Sequence, residues 1–162
     1  MRDSTECFVL SGEEEIAEAS FERERLWNDR RDDHGPFDII GDVHGCHTEL
    51  VELLATLGYD VNPEGTTAGH RDGRRALFLG DLVDRGPASP AVLRLVMAMV
   101  EDGSALCLPG NHEVKLLRAL RGRNVTTTHG LALTLEQLAA EPPELSEQVA
   151  EFIDGLWALR AR

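Results

Sequence analysis

The sequence predicts an α/β fold with a parallel sheet, because two patterns alternate along most of the chain. Three short apolar runs, typical of buried strands, end just before a Gly-Asp or Gly-Asn pair. Apolar residues at helical spacing follow each run, which is the pattern of repeated strand–loop–helix units. In such a sheet the loops after the strands meet at one edge, where ligands bind.

Each element follows from its own pattern. The predicted strands are residues 37–40, 75–79 and 105–108. The predicted helices have apolar residues every three or four positions and span 46–57, 88–101, 114–120, 131–138 and 144–159. Residues 59–73 contain three glycines, which favour a loop or a hairpin. Beyond residue 113, only 124–128 is a candidate for a further strand.

Two regions are predicted along the chain. Residues 1–36 are expected to form a leader arm, since 13–25 is highly charged with loose periodicity and 30–35 is polar and turn-prone. Residues 37–162 are expected to form one partial domain, and a chain of 162 residues can bury one core.

Charge and composition exclude several classes of protein. The formal net charge of −13 argues against general adhesion to nucleic acid or anionic membranes. No apolar run approaches about 18 residues, so no membrane partner is predicted. The acidic segment 1–15 does not have the pattern of a signal peptide. The single lysine, Lys115, does not follow a glycine, which excludes a P-loop.

Two smaller features are open to ordinary explanations. Cys7, Cys46 and Cys107 are an odd number of cysteines without metal-site spacing, which predicts reduced thiols in a cytoplasmic protein. One basic cluster stands out, and it consists of Lys115, Arg118, Arg121 and Arg123. A solvated helix face explains this cluster, and so does a phosphate-rich substrate such as RNA.

Three blocks at the ends of the predicted strands contain metal-ligating residues. They are Gly41-Asp42-Val43-His44-Gly45, Gly80-Asp81-Leu82-Val83-Asp84-Arg85-Gly86 and Gly110-Asn111-His112-Glu113. Asp42 and His44 can face one divalent cation, and the two oxygens of Asp81 can bridge two cations. Asn111 offers a neutral oxygen to the second cation. Two such cations would clamp a phosphoryl group and activate a water molecule.

The other polar residues of these blocks fit substrate binding and proton transfer. The forked cation of Arg85 suits the non-bridging oxygens of a phosphate. His112 is placed to protonate a leaving alcohol or to assist the water, and Asp84 is a candidate to orient its ring. Each block alone is common in turns, but the three together, after successive strands, indicate a phosphoester-cleaving site.

The blocks resemble the pattern of the calcineurin-like metallophosphoesterases, which is Asp-x-His, Gly-Asp-x-x-Asp-Arg and Gly-Asn-His-Glu. The resemblance covers about residues 37–121 and implies the N-terminal part of that family's sandwich, with the second sheet largely missing. It implies that His112, Asp84 and Arg85 are catalytic and that Arg85 and Asn111 contact substrate. The metal ligands that it implies are Asp42, His44, Asp81 and Asn111.

A narrower resemblance concerns residues 26–31, 34–46 and 128–131. These segments are similar to the phosphatase domain of bacterial polynucleotide kinase-phosphatase. The similarity implies two divalent ions, manganese or nickel with iron or zinc as alternatives. It also implies a phosphoester substrate, with 2′- or 3′-terminal phosphates of RNA as the candidate.

The second metal site is expected to be incomplete. In the family two further metal-ligating histidines lie well downstream of Gly-Asn-His-Glu, whereas only His129 follows His112 here. His129 is a candidate ligand, with helix capping or a surface role as the alternative. Without a second sheet, one apolar sheet face would be exposed, and self-association through that face is expected.

Three functions remain open at this stage. The first is a metal-dependent phosphoesterase that hydrolyses phosphomonoesters such as RNA ends, with low activity because late ligands are absent. The second is a protein or dinucleoside-polyphosphate phosphatase, because the three blocks do not set the leaving group. The third is a non-catalytic metal-binding fragment of a longer enzyme.

Overall fold

A computed structural model describes residues 12–18, 32–126 and 128–157. Contacts between residues divide the chain into two units, Met1–Arg30 and Arg31–Arg162. In the first unit, Glu13–Glu18 forms the short exposed helix α1. Most of the predicted leader arm lies outside the described residues, so its boundary at residue 36 stays a prediction. Among the helices that are described, none is long and apolar enough to cross a bilayer.

The second unit confirms the predicted α/β class. Its strands are β1 (Phe37–Ile40), β2 (Tyr59–Val61), β3 (Ala68–His70), β4 (Arg75–Phe78) and β5 (Ala105–Cys107). Its helices are α2 (His47–Thr56), α3 (Ser89–Glu101), α4 (Asn111–Leu120), α5 (His129–Ala139) and α6 (Pro143–Trp157). Residues 59–73 contain an antiparallel hairpin, and residues 124–126 and 128 form no strand. Helix α4 begins at Asn111, before the predicted residue 114. The prediction starts late because the first turn of the helix is polar and shows no apolar periodicity.

The main sheet has the strand order β1-β4-β5, with both neighbouring pairs parallel. Side chains alternate between its two faces. Ile40, Phe78 and Cys107 are buried on one face, in a single apolar cluster with residues of the helices. The carboxyl ends of the three strands therefore lie side by side at one edge of a sheet that is packed on that face.

The other face of this sheet is partly open. Ile39 is 66% exposed, while Leu79 and Leu108, which directly follow β4 and β5, are 49% and 41% exposed. The apolar sheet face expected from the sequence is thus present in this unit. Self-association through it stays a prediction.

An ionic contact attaches the hairpin to the main sheet. The Tyr59 hydroxyl donates to Asp38 Oδ2 at 3.2 Å, and Arg74 Nε donates to the same oxygen at 2.9 Å. The Arg74 hydrogen bond lowers the pKa of the Asp38 carboxyl. Burial, with the Asp38 charge second, raises the pKa of Tyr59 to about 12. Tyr59 therefore remains a neutral donor to Asp38 at physiological pH.

Close contacts between the strand-end loops explain the glycines of the three blocks. The His44 N–H donates to the Asp81 carbonyl at 2.9 Å, which joins the loops after β1 and β4. A Cβ on Gly80 would lie 2.1 Å from the nitrogen of Gly110, and one on Gly86 would lie 2.2 Å from the carbonyl oxygen of His44. Any side chain at Gly80 or Gly86 would therefore force these loops apart.

The fully buried carboxylate of Glu113 also joins two loops. Its oxygens accept backbone N–H groups of Asp81, Leu82 and Gly110, each at 2.8 Å, and of Val83 at 3.4 Å. The bond to Gly110 lies at the N-terminus of α4, where a Glu in the first turn commonly reaches back. Glu113 thus fixes the loop after β4 against the loop after β5.

Replacing Glu113 by Gln should lower the free energy of unfolding by about 1–3 kcal/mol, because the amide NH₂ would face backbone N–H donors. Urea unfolding followed by circular dichroism measures this loss. The control is Glu52→Gln on the exposed side of α2, which should change stability by less than about 0.5 kcal/mol. Equal losses for both variants would contradict the role of Glu113.

The open sheet face should bind a hydrophobic dye and make the chain self-associate. The double variant Ile39→Thr, Leu108→Thr should reduce dye fluorescence and the mass measured by light scattering, since it removes exposed apolar area without disturbing the core. Leu133→Thr, at an exposed position of α5, is the matched control and should change neither. If the parent chain is monomeric and binds no dye, this sheet face does not mediate self-association.

Candidate metal centre

The strand-end loops bring three predicted site residues together. His44, Asp81 and His112 each offer one ligand atom, and these atoms lie within 4.8 Å of one another. They come from the loop after β1, the loop after β4 and the first turn of α4. Two imidazoles and one carboxylate form a donor set that suits divalent transition metals.

The backbone of these loops is strained at the same residues. Among the described residues, the non-glycine positions with positive φ are Asp42, His44, Asp81, Asp84 and Arg85, with φ between 45° and 73°. All five belong to the site that the sequence predicts. Such a conformation is uncommon outside glycine, and it concentrates at functional sites. The strain independently marks the loops after β1 and β4 as the functional part of the sheet edge.

His44 is held as a metal-ligating histidine is usually held. Its ring is buried, and Nδ1 donates to the Val83 carbonyl at 2.9 Å. This hydrogen bond fixes the neutral tautomer and leaves Nε2 with a free lone pair. The histidine therefore fits an ion next to Asp81.

The other predicted ligands differ in how they are placed. Among the described residues, the half-buried carboxylate of Asp81 accepts a single long bond, 3.4 Å from the His112 N–H, which leaves it available to a cation. Asp42 is exposed, lies outside the group of three and borders a cavity of about 230 Å³. Asn111 is exposed at the first residue of α4. The donor set thus fits one divalent ion at His44 and Asp81.

His112 forms a pair with Asp84. Its Nδ1 donates to Oδ2 of the buried Asp84 at 2.7 Å. Its ring meets that of His44 edge to face, with 4.8 Å between the centroids. Since Nδ1 is engaged, Nε2 is the atom of His112 left for a metal or a proton transfer. Arg85 is exposed beside this pair, where a substrate phosphate can reach it.

Sequence reasoning missed three residues that support the site. The sequence pattern gives Glu113 no role within its block, and it places Thr134 and Gln137 on the predicted helix 131–138 without a further role. The Thr134 hydroxyl donates to Asp84 Oδ1 at 2.7 Å, and Gln137 Nε2 donates to the Gly86 carbonyl at 3.1 Å. The sign of a supporting role in the sequence is that Thr134 and Gln137 are polar residues three positions apart on a leucine-rich helix. The side chain of His129 lies outside the described residues, so its predicted role is untested.

The three arginines of the basic cluster lie away from this site, whereas Lys115, three positions after His112 on α4, is on the same side of the helix as His112. Arg118, Arg121 and Arg123 line a cleft of about 500 Å³ together with Asp154 of α6. Along α4, residues 118 and 121 are rotated by about 240° and 180° from His112. The cleft therefore opens on the far side of the helix, away from the metal-ligating group.

The two cysteines within the described residues, Cys46 and Cys107, take no part in the metal-ligating group. Cys107 is buried in β5, and burial, more than the nearby Glu113 charge, raises the pKa of its thiol. Cys46 is a half-buried free thiol that lies 3.7 Å from the His44 carbonyl. Both agree with the predicted reduced state, and Cys7 lies outside the described residues.

Comparison with known proteins agrees with this geometry. The chain is 49% identical over 117 residues to the asymmetrical bis(5′-nucleosyl)-tetraphosphatase PrpE of Halalkalibacterium halodurans. The matched segment covers 72% of this chain and 47% of that relative. The protein of the same name from a Geobacillus species is 50% identical over 111 residues, covering 68% and 44%. A crystal structure of a candidate diadenosine tetraphosphatase covers 72% of this chain and 42% of its own, with 25% identity and a TM-score of 0.47.

This chain spans about half the length of the curated relatives it matches. The narrower resemblance to polynucleotide kinase-phosphatase stays a prediction.

The sequence model of the calcineurin-like phosphoesterases matches residues 35–152, a range that contains all three blocks. The chain therefore belongs to the calcineurin-like phosphoesterase family.

Proposed function

We propose that this chain is a metal-dependent phosphoesterase whose substrates are dinucleoside polyphosphates. The observation that carries the proposal is the position of the Asp84–His112 pair against His44 and Asp81, with ligand atoms of His44, Asp81 and His112 within 4.8 Å of one another. The names of the similar proteins support the substrate class.

Four residues would hold the metal ions. His44 Nε2, Asp81 and Asp42 suit the first ion, and Asp81 with Asn111 suits the second. Nitrogen and oxygen donors of this kind fit manganese, nickel, iron or zinc. When bound, such ions polarise the phosphoryl group and the attacking water.

The remaining chemistry belongs to side chains of the chain itself. Arg85 binds the non-bridging oxygens of the phosphoryl group that is attacked. Water adds to phosphorus, the bond from phosphorus to the leaving oxygen breaks, and His112 Nε2 gives its proton to that oxygen. The proton lost by the water passes to solvent, from which His112 is protonated again. Asp84 orients the His112 ring for the transfer to the leaving oxygen, because its carboxylate accepts the hydrogen bond from Nδ1.

The names of the similar proteins favour a dinucleoside polyphosphate over an RNA end, and the two substrates differ in their leaving group. Asymmetrical cleavage of a tetraphosphate that bridges two nucleosides gives a nucleoside monophosphate and a nucleoside triphosphate. The leaving oxygen then belongs to a phosphate, which needs less protonation than an alcohol. A terminal phosphate of RNA leaves an alcohol, and the basic cleft that would attract RNA opens away from the site.

Purified chain should hold close to one manganese-class ion tightly and a second ion weakly, since only Asp81 and Asn111 serve the second site. Metal analysis after dialysis counts the ions. Asp81→Asn should abolish tight binding, whereas Asp72→Asn, at an exposed loop position, should preserve it. Two tightly bound ions per chain would mean that another residue or another copy completes the second site.

With manganese, the chain should hydrolyse a bis(5′-nucleosyl) tetraphosphate to equal amounts of mono- and triphosphate, measured by chromatography. Asp81→Asn should abolish this activity. His112→Ala should slow phenyl phosphate hydrolysis more than tetraphosphate hydrolysis, because phenolate leaves less readily.

The same assay includes a 3′-phosphorylated RNA and a phosphopeptide at equal concentration. Faster release of phosphate from either one would replace the proposed substrate class. Tight metal binding without hydrolysis of any substrate would favour the non-catalytic alternative.

A further inference from the structure

Helix α5 contacts the loop that carries Asp84 and Arg85, although it lies far away in the sequence. Building on the proposed function, we propose that Thr134 of α5 is a positioning residue, which sets the direction of the Asp84 carboxylate and thereby of the His112 ring. Gly130 and Gln137 complete the contact. These three residues are spaced i, i+4 and i+7, so they lie on one side of α5.

The outer two residues of this row bring the helix against the loop. A Cβ on Gly130 would lie 3.0 Å from Cβ and 3.4 Å from Cγ of Asp84, so any side chain here would press on Asp84. Gln137 Nε2 donates to the Gly86 carbonyl at 3.1 Å, and its Oε1 accepts the Ser89 N–H at 2.9 Å. The helix therefore holds both ends of the 84–89 loop.

Thr134 lies between Gly130 and Gln137 on this side of α5, and its hydroxyl both donates and accepts a hydrogen bond. Its single proton goes to Asp84 Oδ1 at 2.7 Å, and its oxygen accepts the Asp84 N–H at 3.0 Å. Ser89 Oγ lies 3.3 Å away and must be the donor in that contact, because a hydroxyl has one proton only. All three residues are buried, so water cannot replace a lost partner.

This arrangement fixes the Asp84 carboxylate at both oxygens. Oδ1 is held by Thr134, and Oδ2 accepts the Nδ1 proton of His112 at 2.7 Å. The backbone φ is 73° at Asp84 and 66° at Arg85, and both angles are unfavourable for residues that carry a side chain. This backbone conformation therefore depends on contacts with the surrounding structure. Without the hydroxyl, the carboxylate could rotate and His112 Nε2 would lose its direction.

The substitution Thr134→Val keeps the shape of the side chain and removes both hydrogen bonds to Asp84. It should lower kcat for phenyl phosphate by about 10–100-fold, as expected for loss of a group that orients a catalytic residue, with KM within about twofold. The loss should be smaller for nitrophenyl phosphate, which needs less protonation. Thr134→Ser should restore most of kcat.

The control is Ser104→Ala, which removes a partly buried hydroxyl that donates to the Ala68 and Met99 carbonyls. It should leave the ratio of the two rates unchanged. Equal losses on both phosphates for Thr134→Val, or no rescue by serine, would overturn the positioning role.

A second measurement does not depend on activity. In the full chain with ¹⁵N-labelled histidine, NMR at one pH should show a low-field, slowly exchanging Nδ1 proton that is absent in His112→Gln. Thr134→Val should broaden or remove this resonance. Retention of an unchanged resonance would overturn the proposal, whereas a normal resonance pattern in a chain without hydrolysis would count only against the proposed function.

A further variant guards against loss of folding in Thr134→Val. Gly130→Ala favours the helix but presses on Asp84, so it should shift the His112 resonance. Gly155→Ala in α6 gives the same helical gain in open space and should leave the resonance unchanged. Identical spectra for both alanine variants would contradict the close contact between α5 and Asp84.

Discussion

The candidate site depends on the hydrogen bonds that surround one buried carboxylate, that of Glu113. Burying a charge is unfavourable unless strong donors surround it, and here four backbone N–H groups do so. These donors belong to the loops after β4 and β5, so one side chain determines the distance between two strand ends. Asp81, the residue expected to bridge two cations, lies in that network through its own N–H.

Near Glu113, the loops after β1 and β4 adopt left-handed backbone conformations that are unfavourable for residues with side chains. Left-handed conformations cost about 1–2 kcal/mol per non-glycine residue, and five such residues occur in the loops after β1 and β4. Contacts between the loops offset this cost, notably the bond from His44 to Asp81 and the close approach at Gly80. Groups held in this way need little reorganisation when a phosphate binds.

The sequence was informative where the physics is local or follows from parallel strands. Apolar runs gave the strands and most helices, and parallel geometry explained why Asp81 and His112 meet. The supporting residues could not be predicted, because Glu113 and Thr134 contact groups about 30 and 50 positions away. A charged residue is rarely buried, and a hydroxyl in a leucine-rich helix has no partner until the tertiary structure is known. Asp42 is exposed and lies outside the group of three, so its predicted ligation of an ion together with His44 stays a prediction.

The separation of Asp84 and Thr134 also bears on the order in which the chain matures. Bonds between residues 50 positions apart form only after the intervening chain has closed into a loop, which disfavours early formation. The pairs that β4 forms with β1 and β5 join residues that are nearer in the sequence and can form first. On a ribosome, the segment with the three blocks would emerge before α5, with His112 not yet oriented. Because α5 also contributes Leu131 and Leu138 to the core, the same late step would complete both the core and the orientation of His112.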